Sequence, residues 1–120
     1  MARVFLDTNF VIDLFGRNKG VYSILEGHEL HISPFSILVL SYTRKTKVPS
    51  SKLSNIIDEL IMVKLDSKLI RKSSSGPTSD IEDNVQLHSA AECEAEYFLT
   101  NDKKLLNMKF FGKTRIASTL

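Results

Sequence analysis

Asp7, Asp80, Asp83 and Asp102 are the residues whose type and placing could do chemistry in this chain. Asp7 directly follows the apolar run Val4-Phe5-Leu6, which leaves no polar face and reads as a buried strand. Asp102 stands two residues beyond the run Tyr97 to Thr100, which reads as another strand. Asp80 and Asp83 are three residues apart at the start of a helix, so they project from one helical face. In open α/β sheets, ligands bind at the carboxyl ends of the strands. Two carboxylates about 4 Å apart repel by roughly 4 kcal/mol at an effective dielectric of about 20. A cluster of three or four therefore implies a cation or raised pKa values. All-oxygen donors, with no Cys or His among them, select Mg²⁺ or Mn²⁺ over Zn²⁺, and carboxylate-held Mg²⁺ serves phosphoryl chemistry.

The same acids have plainer readings. Asp80 and Asp102 are both placed to be helix N-caps. Asp13 falls two turns along the first helix and reads as surface or as support for the acids. Asp7 is harder to explain structurally, because an acid ending an all-apolar strand has little structural purpose. His28, His31 and His88 show no ligand spacing and read as structural. The single cysteine, Cys93, reads as a small buried hydrophobe. It cannot form an internal disulfide, which fits a reducing cytoplasm.

To position the acids, strands and helices must alternate. The pattern predicts a strand over residues 3–7 and a helix over 9–16 with Asn9 as its N-cap. A helix over 19–27 ending at Gly27 and a strand over 29–32 follow. Ser33 caps a helix that Pro34 opens and that runs to Arg44-Lys45. Ser51 caps the next, whose Leu53, Ile56, Ile57 and Leu60 recur at helical spacing. A strand over 61–65 and a helix over 66–72 come next. The Ser- and Gly-rich stretch 73–79 reads as a mobile loop. A helix over 80–94, the strand 97–100, a short helix from Asp102 and a strand over 113–117 complete the chain. This alternation predicts an α/β fold, with a central, mostly parallel sheet of four to five strands flanked by helices on both faces.

The bulk numbers set limits. The 120 residues are one domain's worth, and 42 % hydrophobic with 25 % charged residues is ordinary for a globular chain. No apolar run approaches the ~20 residues that cross a bilayer, and no secretory leader pattern opens the chain; the expected location is the cytoplasm, with no membrane partner. The net charge of +2 is too small to announce a nucleic-acid binder. Its distribution says more. Asp80 to Glu96 holds six acids and no Lys or Arg, whereas Arg44, Lys45, Lys47 and Lys52, and later Lys103, Lys104, Lys109, Lys113 and Arg115, form basic segments without acids. An acidic patch rimmed by cations suits a metal-dependent enzyme with a phosphate-backbone substrate. Solvated helix faces are the alternative.

Together these residues resemble a known family. Leu6-Asp7-Thr8-Asn9 with Ile12-Asp13, and Asp80-Ile81-Glu82-Asp83 through Ala90-Ala91 to Leu99-Thr100-Asn101-Asp102, look like the PIN domain, specifically the VapC-like toxin ribonucleases of type II toxin–antitoxin systems. The resemblance covers nearly the whole chain and implies a single PIN-like domain over 1–120. It implies a Mg²⁺- or Mn²⁺-dependent endoribonuclease with Asp7, Asp83 and Asp102 as catalytic metal ligands. Asp80 would be a further acid of the metal site, and Asn9 and Thr100 would orient the ligands. The implied partners are RNA, a cognate antitoxin and a second copy of the chain in a homodimer. Arg44, Lys45, Lys47 and Lys103 are the cations expected to track the RNA backbone. The chain departs from the pattern once. The Glu usual on the helix after the second strand is replaced by Val39, and no acid occurs between Glu29 and Asp58. Asp80, one turn from Asp83, is the acid that could compensate.

Two other classes compete. A catalytically weak PIN-like domain that binds RNA or protein would explain Val39. A phosphorylatable receiver domain also puts acids at strand ends, but it needs an isolated acceptor Asp, and Asp7 is followed by Thr8-Asn9 instead. No Gly-rich phosphate loop is present, which argues against nucleoside-triphosphate chemistry.

Overall fold

Val4, Phe5 and Leu6 are fully buried, and the strand they form, β1 (Arg3–Leu6), lies inside the sheet with a parallel partner on each side. The computed structural model describes residues 1–16 and 25–120. After β1 come α1 (Thr8–Gly16), β2 (Glu29–Ile32), α2 (Pro34–Thr43), α3 (Ser51–Glu59), β3 (Ile61–Met62), α4 (Ser67–Ser73), α5 (Ile81–Glu92), β4 (Tyr97–Leu99), α6 (Lys103–Met108), β5 (Phe110–Phe111) and β6 (Thr114–Ala117). The sheet order is β3-β2-β1-β4-β6-β5, parallel throughout except for the antiparallel β5–β6 pair.

Side chains alternate across a strand, so β1 feeds two cores. Val4 and Leu6 join Phe10, Val11, Leu14, Ile37, Leu40 and Ile56 from α1, α2 and α3 on one face. Phe5 joins Leu87, Ala90 and Leu105 from α5 and α6 on the other, stacked on Phe98 with ring centroids 5.6 Å apart. Truncating Phe98 to Ala would cost about 3–5 kcal/mol through the cavity it leaves. The expected three-layer α/β architecture is therefore present.

Several local expectations change. The sheet has six strands, because Phe110 and Phe111 pair with β6 across a turn in which Gly112 takes φ +60°. The third strand ends at Met62 rather than 65, although the Val63 N–H still donates to the Ile32 carbonyl. Ser50, not Ser51, caps α3, its Oγ accepting from the Leu53 N–H. Asn9 is not a cap. The Asp7 carbonyl accepts the Val11 N–H, so α1 starts one residue earlier than expected and Asn9 sits exposed in its first turn. The 73–79 stretch is tethered rather than loose. Asn84, inside α5, donates Nδ2 to the carbonyls of Ser73 and Thr78 and accepts on Oδ1 from the Thr78 N–H and hydroxyl. His88 Nε2 adds a 2.9 Å contact to the Gly76 carbonyl. The helix expected over 19–27 lies mostly outside the described residues; Leu25 is its last helical residue, and Gly27 follows at φ +84°, the left-handed closure that glycine supplies. No helix among the described residues is long and apolar enough to cross a membrane.

Candidate active site

The chain runs outward from β1 to β2 and β3 on one side, and to β4 and β6 on the other. The order thus reverses between β1 and β4, and the crevice beyond the carboxyl ends of two such strands is where open α/β sheets bind ligands. Asp7 and Thr100 end these strands. The Asp7 N–H donates to the Leu99 carbonyl at 3.0 Å. The Thr100 hydroxyl donates to Asp7 Oδ2 at 2.8 Å and accepts the Asp102 N–H at 3.0 Å. Asp7 Oδ1 accepts the Thr8 N–H at 2.8 Å. Asp7 is only 6 % exposed. Burial raises its pKa above the ordinary carboxylate range, the two hydrogen bonds oppose that rise, and the charge of Asp102 adds to it.

The third and fourth acids arrive on α5. Asp80 is the N-cap of that helix, its Oδ1 accepting from the Glu82 and Asp83 N–H groups. Asp102 does the same for α6, accepting from Lys104 and Leu105. Both acids therefore spend one carboxylate oxygen on a helix end and keep the other. Asp83 accepts no hydrogen bond from the described residues, and its carboxyl is pushed up to about 6. Desolvation is the largest cause, followed by the charges of Asp80, Asp102, Asp7 and Glu82. Asp83 thus gives up its proton against an already charged set, as coupled carboxylates do.

The fold therefore gathers Asp7, Asp80, Asp83 and Asp102 into one electrostatic neighbourhood. Among the described residues, no three His, Cys, Asp or Glu side chains converge on a common point as a metal would require. The donor chemistry nonetheless suits a hard divalent cation, since all donors are carboxylate oxygens whose mutual repulsion a positive charge would relieve. The helix expected to bring a Glu supplies none. Val39 is partly buried on α2, and the polar group that α2 sends to this rim is Ser36, whose buried hydroxyl lies 2.8 Å from that of Thr8.

The cations divide. Arg44 folds back on α1, where a methyl group added at Gly16 would collide with its guanidinium. It is partly buried there, at the end of a helix whose dipole favours a positive charge. Lys45, at φ +53°, and Lys47 are exposed and line an open groove of about 790 Å³ with Tyr42 and Thr46. That groove lies ~15 Å, the length of α2, from the Ser33 cap at the acid rim. Lys103 is exposed beside Asp102 at the start of α6.

Two residues escaped the sequence reading. Asn84 fixes the loop that delivers Asp80 and Asp83, and its signal was an Asn inside a helix, where local hydrogen bonding makes that residue unfavourable unless it is used. Ser36 carried no signal, since a serine three residues after a serine cap is unremarkable until its burial is known.

No family model matches the chain, and no curated protein sequence does. Among solved structures, the chain superposes over 95 % of its length on 96 % of a chain from VapBC2 of Rickettsia felis bound to a DNA fragment from their promoter, with a TM-score of 0.66 and 15 % sequence identity. At that identity the likeness is one of fold: this chain is an α/β domain built like a chain of that VapBC2 assembly, with its acids at the strand rim.

Proposed function

We propose that the chain is a metal-dependent endoribonuclease that hydrolyses RNA phosphodiester bonds and acts as the toxin of a type II toxin–antitoxin pair. The observation that carries this reading is the buried Asp7 carboxylate, held by the Thr100 hydroxyl and the Thr8 N–H, with Asp102 tied to the same hydroxyl, at the point where the strand order reverses. The likeness to a VapBC2 chain supports a cognate antitoxin as partner; RNA as substrate and a homodimer are further parts of the proposal that this likeness does not address.

In this reading Asp7, Asp83 and Asp102 hold Mg²⁺ or Mn²⁺, with Asp80 as a further ligand. Such a cation, when bound, lowers the pKa of a water and neutralises charge on the scissile phosphate. Thr100 and the Thr8 N–H hold the Asp7 carboxylate in one orientation. Asp83, whose carboxyl pKa burial and the neighbouring acids raise in the metal-free protein, would be held deprotonated by such a cation. Asp102 and Asp80 are oriented by the helix ends they cap. Lys103, Lys45 and Lys47 are exposed to meet phosphates.

Cleavage of RNA with and without EDTA, and then by Asp7→Asn, tests the proposal. Cleavage abolished by each supports it; cleavage that survives both overturns the metal mechanism. A second reading, a catalytically weak RNA- or protein-binding domain, is favoured by Val39 and by the absence of three converging ligand side chains among the described residues. Titration with Mn²⁺ separates the two, since no saturable binding at millimolar metal favours the second.

A further inference from the structure

The helix that carries no acid still sends a hydroxyl to the rim, and that hydroxyl is paired. Ser36, in the first turn of α2, is fully buried. Its Oγ lies 2.8 Å from Oγ1 of Thr8. Thr8 follows Asp7 directly at the carboxyl end of β1, and its N–H donates to Asp7 Oδ1. The contact therefore ties the start of α2 to the residue beside the buried acid.

A bond between two hydroxyls can run either way, and burial decides which way this one runs. The Ser36 hydroxyl has no other partner among the described residues. If Thr8 donated, the Ser36 proton would be sealed inside the protein with no acceptor, which buried polar groups avoid. Ser36 therefore donates and Thr8 accepts. The proton of Thr8 must then point off that line. No acceptor among the described residues takes it, and Thr8 is only partly buried. The other threonine of the rim differs, because Thr100 spends its proton on Asp7 Oδ2. Thr8 alone of the two keeps a donor for a group that enters the crevice. Among the carboxylates of this rim, a neutral donor suits an incoming oxyanion, since it offers a hydrogen bond without drawing an acid into an ion pair.

We propose that the Thr8 hydroxyl donates to a non-bridging oxygen of the scissile phosphate, with Ser36 as the positioning residue that turns its proton outward. This rests on the ribonuclease reading and adds to it a contact that α2 supplies through Thr8, although no acid occurs between Glu29 and Asp58. The competing explanation is that the two hydroxyls only lock α1 to α2, in which case their loss lowers the melting temperature and leaves the chemistry alone.

Thr8→Val removes the hydroxyl with little change of shape, and Thr8→Ser keeps it. Cleavage is measured in Mn²⁺ on a random-sequence RNA pool, and on the same pool with sulfur replacing one non-bridging oxygen of each phosphate. Thr8→Val is expected to lower cleavage of the ordinary pool about 10- to 150-fold, the worth of one hydrogen bond to a charged group, with the Mn²⁺ titration unchanged. Thr8→Ser recovers most of the loss. Sulfur is a poor acceptor, so it slows wild type more than it slows Thr8→Val. Ser36→Ala lowers cleavage less than Thr8→Val does and adds nothing to it in the double variant, because it acts through Thr8. Ser36→Ala leaves Thr8 in place, so it carries the same sulfur comparison if Thr8→Val fails to fold. Wild-type cleavage by Thr8→Val, or equal slowing by sulfur in wild type and variant, overturns the donor while leaving the ribonuclease reading standing. A wild-type protein that cleaves no RNA in Mn²⁺ overturns both.

Discussion

The hydroxyl of Thr100 donates to Oδ2 of Asp7 at 2.8 Å, linking residues 93 apart in the chain across the junction of β1 and β4. A second bond meets the same hydroxyl. The Asp102 N–H donates to the same oxygen, which leaves the hydroxyl's one proton for Asp7. Asp7 is thereby held as an acceptor although burial favours its neutral form. One side chain sets both the orientation of Asp7 and the approach of Asp102.

Thr100→Val keeps the shape and removes the bond. It leaves Asp7 and the Asp102 N–H without their partner, so a loss of about 1–3 kcal/mol in urea denaturation is expected, with the Asp7 titration moving further up by carboxyl NMR. RNA cleavage should fall about 10- to 100-fold, as for other groups that orient metal ligands. Thr100→Ser should recover most of both. A Val variant with wild-type stability and activity would show that the bond orients nothing.

The raised Asp83 carboxyl makes the metal-free protein pH-dependent in a defined direction. Below 3.8, its ordinary value, the group is protonated folded and unfolded alike. Between 3.8 and about 6 the unfolded chain releases this proton while the folded chain retains it, so each rise in pH favours unfolding. The penalty is complete above about 6. Asp83→Asn removes it. At pH 7.5 in EDTA the variant should exceed wild type by about 1 kcal/mol, a figure reduced for the group's partial exposure, or about 4 °C in melting temperature. At low pH the two should coincide. Saturating Mn²⁺ should reverse the order at pH 7.5 by stabilising wild type more. Parallel melting curves at all pH values would refute the clustering of these acids.

The strands were legible because burial on both faces demands continuous apolar runs, and Val4-Phe5-Leu6 and Phe98-Leu99 are such runs. Asp7 and Asp102 were legible for the same reason, as acids that end them. The sixth strand was harder to see: two residues carry almost no periodicity, although Phe-Phe-Gly-Lys-Thr has a glycine where the hairpin turn needs positive φ. The tether on the 73–79 loop was invisible for a different reason. Its composition is that of a free loop, and the group that holds it, Asn84, lies on the next helix. The approach of Asp83 to Asp7 depends on the packing of Leu87 and Ala90 against Phe5 and Phe98, which no local pattern encodes.

The cations read as one basic segment should separate by role. Arg44 is partly buried against Gly16, so Arg44→Ala should lower stability by about 1 kcal/mol through lost packing and a lost charge at the end of α1. Lys45 and Lys47 are exposed, so replacing both with Gln should leave the melting temperature unchanged. It should weaken RNA binding equally for all sequences and make the salt dependence shallower. A double variant that binds RNA with wild-type affinity and salt slope would remove this groove from the RNA path.

Gln86 sits on α5 three residues beyond Asp83, is only 2 % exposed, and neither of its amide atoms has a hydrogen-bond partner among the described residues. The Ser89 hydroxyl on the same helical face and Nδ1 of His31 on β2 are in the same condition, and α5 packs against β2. Burying an amide without partners costs about 1–3 kcal/mol in folded proteins. Gln86→Leu removes the polar atoms at similar volume, so urea denaturation should show a gain of about 1 kcal/mol with an unchanged slope. The same substitution costing stability would mean that the amide is satisfied in solution by internal water bridging Gln86, Ser89 and His31, because an apolar side chain would then expel water held by several polar groups. The sign of this one measurement therefore decides whether the space behind the acids is dry or wet.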